Sequence, residues 1–460
     1  MLDVKKSRLA MYKEILMLAG PTMLEQLMQT AVQYIDTAMV GSLGTQAMAA
    51  VGATSTVNWL IGSTLSAIGV GFLAYIAQAI GARDIDRARK ASGQAVLVVV
   101  IAGLFFTLVT TGLSGKIPAW MRVDANIRAM ASRYFLILYL PMLFRTASII
   151  FGTLLRAAGD TKTPMKVGII VNLINIVLNF FLIYPTRTLT IGKAGINIFG
   201  AGKGIEGAAI ASAVAYTFGG IAITYMLWRH KEISPRGQSF SPNLRVLAPC
   251  MRVALPNMLQ RFATSLGYVF FASMINSLGE TATAAHTIAN TVESAFYIPG
   301  WGMQTAAATL SGNAWGAKDD DRLNGLARSI LPLEVGLMVV SGGMLFAFAP
   351  QLMHLFSKDV QVIALGTAVL RMVAVSEPFY GVPIVIEGIM QGVGNTVPPF
   401  IYNVLGMWCA RITGTFICTQ LLGYGLISAW ACMIAHNMLL FVMFTIHYLS
   451  GRWKPKLLNH

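Results

Sequence analysis

Four polar side chains share one side of the first apolar run of this 460-residue chain: Glu25, Gln29, Gln33 and Asp36. Glu25 and Asp36 are 11 residues apart, which at about 100° per residue brings them to nearly the same face of a helix, with Gln29 on that stripe and Gln33 beside it. A charge in a hydrocarbon setting costs upward of about 3 kcal/mol, so such a stripe faces a cavity or a partner. A second polar face is written by Asn172, Asn175 and Asn179, spaced i, i+3, i+7. Ser212 lies two turns past Gly204 in the next apolar run. Asp36, Asn175, Asn179 and Ser212 are all oxygen donors, as a Na⁺ site needs; Asp36 alone could instead carry a proton. Hydrogen bonding between helices is the plain structural reading of the same asparagines.

The second half of the chain does not copy this set. Its ionisable residues inside apolar runs are Arg261, His286, Glu293, Glu334, Arg371, Glu377, Glu387 and Arg411. Glu377 precedes Pro378, where a carbonyl freed by the proline could join it, and it is a candidate for substrate or ion contact together with Glu293. Arg261 or Arg371 is expected to neutralise one of these acids, and His286 reads as a span-boundary residue.

These residues sit in a chain that is 55% hydrophobic and only 12% charged, with mean hydropathy +0.64. About 25% charge is usual for a soluble domain, so water is not the solvent of most of this surface. Twelve apolar runs are long enough to cross a bilayer as helices: roughly 14–40, 52–80, 92–114, 131–154, 164–184, 205–227, 249–276, 286–314, 328–350, 362–390, 398–420 and 425–448. The first run is too long for a signal-peptide core and reads as a retained span. The four cysteines fall in or beside spans and form neither a disulfide framework nor a metal spacing.

The net charge of +15 is a topology signal. About 22 Lys and Arg fall in the N-terminus, 83–90, 156–166, 229–252, 318–328 and the tail; about eight fall on the other side. By the positive-inside rule both termini are cytoplasmic, and no nucleic-acid surface is needed to explain the charge. Phosphate loops, Asp-rich prenyltransferase motifs and helical His/Glu metal pairs do not occur, so the chain does not read as an enzyme. Transport without an ATP site draws on an ion gradient.

A shift of 235 residues lays one half of the chain on the other. Pro21-Thr22-Met23-Leu24 falls on Pro256-Asn257-Met258-Leu259, Ser42-Leu43-Gly44 on Ser277-Leu278-Gly279, and Gly81-Ala82-Arg83-Asp84 on Gly316-Ala317-Lys318-Asp319. Gly159-Asp160-Thr161 falls on Gly394-Asn395-Thr396. Six spans per repeat place both halves in the same orientation, related by an axis along the membrane normal. The expected lobes are 1–228 and 249–460, joined by a basic cytoplasmic linker at 229–248 that lets them move separately. Near 186–201 the first repeat carries 14 extra residues outside the membrane, compatible with a small hairpin or a plain loop. Met28, Trp59, Tyr297, Trp301 and Tyr380 are candidate walls of a substrate path between the lobes.

Several of these stretches resemble the multidrug and toxic compound extrusion (MATE) family. Asp36-Thr37-Ala38-Met39-Val40-Gly41 with Leu43-Gly44 is similar to its first-helix signature. Leu155-Arg156-Ala157-Ala158-Gly159-Asp160-Thr161, with Gln391-Gly392-Val393-Gly394-Asn395-Thr396 as second copy, is similar to its fourth-to-fifth helix loop. Asn175-Ile176-Val177-Leu178-Asn179 and the run from Gly204 to Ser212 resemble its fifth and sixth helices. The resemblance spans nearly the whole chain. It implies an all-α, V-shaped membrane protein of two six-helix bundles in a bacterial inner membrane. It implies a monomeric antiporter, in contact with membrane lipid, exporting organic cations or drugs against Na⁺ or H⁺ without a cofactor. The family's N-lobe cation site falls on Asp36, Asn175, Asn179 and Ser212. The C-lobe acids of its best-known Na⁺-coupled branch are replaced here by Thr264 and Tyr380, with Glu377 one turn away, which favours coupling through the N-lobe. The rival within the superfamily is a lipid-linked saccharide flippase, which the span arginines Arg145, Arg261 and Arg371 keep open.

Overall fold

A computed structural model describes residues 2–120, 125–191 and 194–455. Apolar runs without backbone partners in lipid must close their hydrogen bonds internally, and they do so as helices. The first lobe consists of α1 (Leu2–Gly41), α2 (Thr45–Gly81), α3 (Ile85–Gly112), α4 (Ala125–Tyr139 and Met142–Ala157, bent by 50°), α5 (Lys162–Leu182) and α6 (Gly204–Arg229). The second consists of α7 (Leu244–Asn276), α8 (Glu280–Phe296 and Ile298–Gly316), α9 (Asp320–Phe356), α10 (Val360–Val393), α11 and α12 (Leu426–Leu449). Helix α11 begins as Val397–Leu405 and continues through π-helical turns at Gly406–Ile412 and Ile417–Leu421 around a short α segment. Every expected span coincides with one of these helices.

Among the described residues, length and hydropathy alone qualify seven helices as spans, or eight with the bent α4. The others are α1, α7, α8 and α11. Proline or polar side chains interrupt these, and they carry Asp36, Glu293 and Arg411. Pro141 breaks α4, and Pro299 follows the break in α8.

The two repeats fold alike to the level of single turns. Arg83 and Lys318, 235 residues apart, both take left-handed backbone (φ 59 and 54). Asp84 and Asp319 then accept from the backbone N–H of Arg87 and Arg322 at 3.0 and 2.8 Å, capping α3 and α9. The prolines are served similarly. Pro21 has no N–H to give the Met17 carbonyl, and the Thr161 hydroxyl, from the α4–α5 loop, lies 3.5 Å from that oxygen. In the second copy Thr396 donates to Val253 O at 2.9 Å, one turn before Pro256. Helix α1 runs unbroken through Pro21.

The lobes meet at the end that carries the basic loops. A methyl group on Gly81 would lie 2.0 Å from Asn313 O, and one on Gly316 would lie 1.9 Å from Gln78 O. Asn313 is the repeat counterpart of Gln78, so α2 and α8 cross backbone against backbone about the pseudo-two-fold axis. Around this crossing Gln78 Nε2 donates to Gly392 O at 2.9 Å, and Arg322 pairs with Glu14 at 2.7 Å. The first halves of α1 and α7 each pack on the opposite lobe, with Ile15, Leu18 and Ala19 in the second lobe's core and Val246 and Cys250 in the first's. This end of the molecule is closed.

Two expectations change. The linker is shorter than 229–248: α6 runs to Arg229, and Asn243 caps α7 by accepting from Arg245 N at 3.1 Å. It is also tied down. Gln94 on α3 donates to Ser241 O and accepts from Asn243 N, each at 2.8 Å, and Arg89 donates to Lys231 O at 2.8 Å. The connector therefore belongs to the first lobe's basic end and is not a free tether. The extra segment is a hairpin, β1 (Pro185–Ile191) antiparallel to β2 (Ala194–Ala201), with Thr188 opposite Asn197. Gly192 and Lys193 at its tip lie outside the described residues, as do 121–124 and 456–460.

Candidate functional site

Helices α1, α5 and α6 bring Asp36, Asn175, Asn179 and Ser212 together. Asn179 Nδ2 donates to Asp36 Oδ1 at 2.5 Å. A carboxylate needs donors, which assigns the Asn175 amide with its nitrogen 2.9 Å from both Asp36 oxygens and its oxygen accepting from the Ser212 hydroxyl at 3.0 Å. Asn175 and Asn179 are buried, and Asp36 is half-buried. The two amides thus solvate one negative charge where water is scarce. Asn179 Oδ1 is buried without a hydrogen-bond partner. One carboxylate and three neutral oxygens (two amide, one hydroxyl) suit a monovalent cation, and the carboxylate alone suits a proton. Among the described residues no group of three or more His, Cys, Asp or Glu could hold a metal ion, so a divalent centre is not what this set builds.

The polar stripe on α1 divides. Glu25 is buried, and Arg156 Nη2 from the last turn of α4 donates to both of its oxygens at 2.9 and 2.7 Å. Glu25 is thus paired with Arg156, apart from the Asp36 set. Gln29 and Gln33 remain exposed between Glu25 and Asp36.

In the second lobe Asp36 has Phe271 as its repeat counterpart. The Arg411 guanidinium lies over Phe271 and Tyr268, 5.2 and 5.1 Å from the ring centroids. Arg411 stands in the π-helical turn of α11, where one extra residue per turn re-aims side chains. Its Nε and Nη1 are buried without hydrogen-bond partners. Glu293 is buried on α8 and accepts from the Tyr297 hydroxyl, and Tyr297 meets Tyr380 edge to face at 5.3 Å. The three candidates Glu293, Glu377 and Tyr380 are therefore close together, with Tyr297 joining them. Glu377 is 1% exposed and neither of its oxygens has a donor. Glu334 on α9 is in the same state, at 0% exposure. Sequence reading names Glu334 only among the ionisable residues of the spans, and no local pattern sets it apart.

The other arginines are spoken for. Arg261 donates to Asn257 at 3.3 Å and faces Glu387, which also accepts from Gln260, Gln391 and Asn403. The expected neutralisation thus falls to Arg261. Arg371 is exposed beside the Phe346 ring, and Arg145 donates to Asn58 with its guanidinium over Tyr216. His286 is not a boundary residue: α8 begins at Glu280, and Trp430 Nε1 donates to His286 Nδ1 at 3.2 Å inside the lobe.

Two six-helix lobes, closed on each other at one end and each holding buried acids, define a multi-pass membrane transporter. The sequence profile of the MatE family matches residues 21–181 and 256–417, two segments that begin 235 residues apart. The chain belongs to that family, the MATE transporters. It is 28% identical over 444 residues to the probable multidrug resistance protein NorM of Thermotoga maritima, covering 96% of this chain and 93% of the relative. It is 23% identical over 436 residues to the probable multidrug resistance protein YoeA of Bacillus subtilis, covering 93% and 91%. Among solved structures, a multidrug resistance MATE family transporter in an outward-facing conformation superposes with TM-score 0.87 at 24% identity, over 96% of this chain and 95% of the other. A MOP superfamily transporter from Pyrococcus furiosus, described as having a binding pocket of reversed polarity, superposes with TM-score 0.85 at 24% identity and the same coverage. At these identities the likeness speaks to the fold.

Proposed function

We propose that this protein is a secondary active antiporter that exports cationic or amphipathic organic compounds in exchange for H⁺ or Na⁺. The observation that carries the reading is the Asp36 network: one carboxylate, two amides and a hydroxyl drawn from three helices, with Asn179 Oδ1 unpartnered. The relatives named for multidrug resistance support the substrate class. With the basic loops in the cytoplasm, both termini are cytoplasmic, the membrane is the bacterial inner membrane, and the closed end faces inward.

The chemistry is an exchange of partners at Asp36. With the amides donating, Asp36 is held as an anion between α1 and α5. A proton or a Na⁺ takes over that role, and the amide groups turn their oxygens towards the ion or towards one another. Helix α1 carries Asp36 above Pro21, so a change of partners is transmitted to the turn where the helix lacks a backbone bond. An ion biases this two-state element only by its difference in affinity between the states.

The flippase reading calls for a cationic central cavity. Arg261 faces Glu387, Arg371 lies at the edge and Arg145 is engaged by Asn58, so the arginines do not gather on one surface. This dispersal supports drug–ion exchange.

Efflux of ethidium from vesicles under separate H⁺ and Na⁺ gradients tests the proposal. The Asp36→Asn variant, at normal expression, is expected to lose uphill efflux; sustained uphill efflux by that variant would falsify the reading.

A further inference from the structure

We propose that Glu334 and Glu377 form a second proton-binding site, inside the C-lobe, closed to the exported compound and separate from Asp36. Its transport role rests on the antiport reading above; its existence does not. Each of these acids presents two buried oxygens with no hydrogen-bond donor, at 0% and 1% exposure. An uncompensated carboxylate in such a place is costly, and a proton removes that cost.

The surroundings exclude larger cations. Helices α8, α9 and α10 close on the acids through glycines. A methyl group on Gly381 would lie 2.9 Å from Glu334 Oε1, and one on Gly300 would lie 3.3 Å from it. A methyl group on Gly342 would lie 3.2 Å from Glu377 Cβ. No organic cation fits between groups this close. Nor do the acids converge as a metal site: among the described residues no three His, Cys, Asp or Glu are grouped to hold one.

The charged and titratable groups facing the site are few. Glu293 on α8 lies within electrostatic reach of Glu377, as does Glu334 on α9. Tyr297, at the break in α8, donates to Glu293, and Tyr380 follows Glu377 by one turn on α10. Arg411 on α11 acts on Glu293 and Tyr380. His436 on α12 is turned to Gly406 of α11. Glu293, with its tyrosine donor and Arg411 nearby, is placed to hold the negative charge of the group, which leaves the proton on its neighbours. Release of that proton puts like charges between α9 and α10 at the glycine contacts and drives those helices apart. Unloading therefore accompanies rearrangement of the C-lobe.

Melting of the purified full-length protein as a function of pH tests the site without transport. Acids kept neutral by burial stabilise the fold fully only below the pKa of an unfolded glutamate, about 4.3, and that stability is lost progressively as pH rises until they ionise in the folded protein. Wild type is expected to lose Tm steadily as pH rises above about 5, and Glu334→Gln and Glu377→Gln each to flatten the slope by about half. Slopes for the two glutamine variants parallel to wild type overturn the proposal. Should either variant fail to accumulate, infrared spectra of the Asp36→Asn protein serve instead. A protonated-carboxyl band at neutral pH that disappears in alkali is expected, and its absence overturns the site. In proteoliposomes, pH-driven ethidium efflux is expected to fall about tenfold in Glu377→Gln with ethidium binding within about twofold of wild type. Unchanged efflux overturns the site's part in the cycle. Wild-type efflux that ignores both ion gradients sinks the antiport reading while leaving the melting result standing.

Discussion

In the N-lobe Asp36 receives amide N–H groups from Asn175 and Asn179. In the C-lobe the same repeat position is Phe271, and its ring carries the guanidinium of Arg411. The counterparts of Asn175 and Asn179 are Ala410 and Gly414, and the helix there has loosened into π turns. One scaffold therefore presents a solvated anion on one side and a cation lying on aromatic rings on the other. Two of the C-lobe's acids, Glu334 and Glu377, sit elsewhere and have no donor among the described residues. A buried charge that is given donors is ready to exchange them for an ion, whereas a buried acid without donors can only hold or release a proton. Repeating a fold does not repeat its chemistry.

The comparison breaks most visibly at Asp36. Asp36→Asn keeps the shape and the hydrogen bonds but not the charge, so a loss of about 100-fold or more in gradient-driven efflux is expected. Removing a solvating amide is milder. Asn179→Ala takes away one charge-assisted bond, worth about 1.5–3 kcal/mol, and the concentration of coupling ion giving half-maximal efflux should shift by about tenfold or more. An unshifted half-maximum would mean that Asn179 only joins helices. Glu25→Gln separates structure from coupling. It strands Arg156 at the base of α4, and a stability loss of up to about 3 kcal/mol is expected in thermal melts. The number of ions exchanged per ethidium should stay at the wild-type value; a changed ratio would return Glu25 to the ion path. The smallest effect is the most pointed. In the Asp36→Asn background, Phe271→Asp places a carboxylate at the matching position of the other lobe, next to Arg411. Arg411 should neutralise it and efflux should stay lost. Recovered efflux would show the lobes to be interchangeable.

The span positions, the two-lobed repeat and the set Asp36, Asn175, Asn179 and Ser212 were legible in the sequence. Hydropathy marks spans because lipid leaves the backbone no other partner, and i, i+3, i+7 spacing marks a face because helices are regular. What was not legible depends on distance between remote segments. Glu25 and Asp36 look alike in sequence; only the fold brings Arg156, 131 residues away, onto one of them. Glu334 looks like any other acid until α8 and α10 close on it without offering a donor. His286 was misplaced because the helix begins earlier than hydropathy suggests, at Glu280. The linker's attachments to Gln94 depend on a long-range amide that no local pattern announces.

The crossing of α2 and α8 is made by main chain. At Gly81 and Gly316 there is no room for a side chain, and neither partner, Gln78 O nor Asn313 O, is contributed by a side chain. The crossing itself thus has no titratable part, and the Glu14–Arg322 pair stands beside it. Salt and acidity act on it only through the lobes that carry it. A transporter built this way can exchange the walls of its passage, residue by residue, to accept new compounds, and still stay tight. Its selectivity and its permeability barrier are written in different residues, and variation in one leaves the other intact.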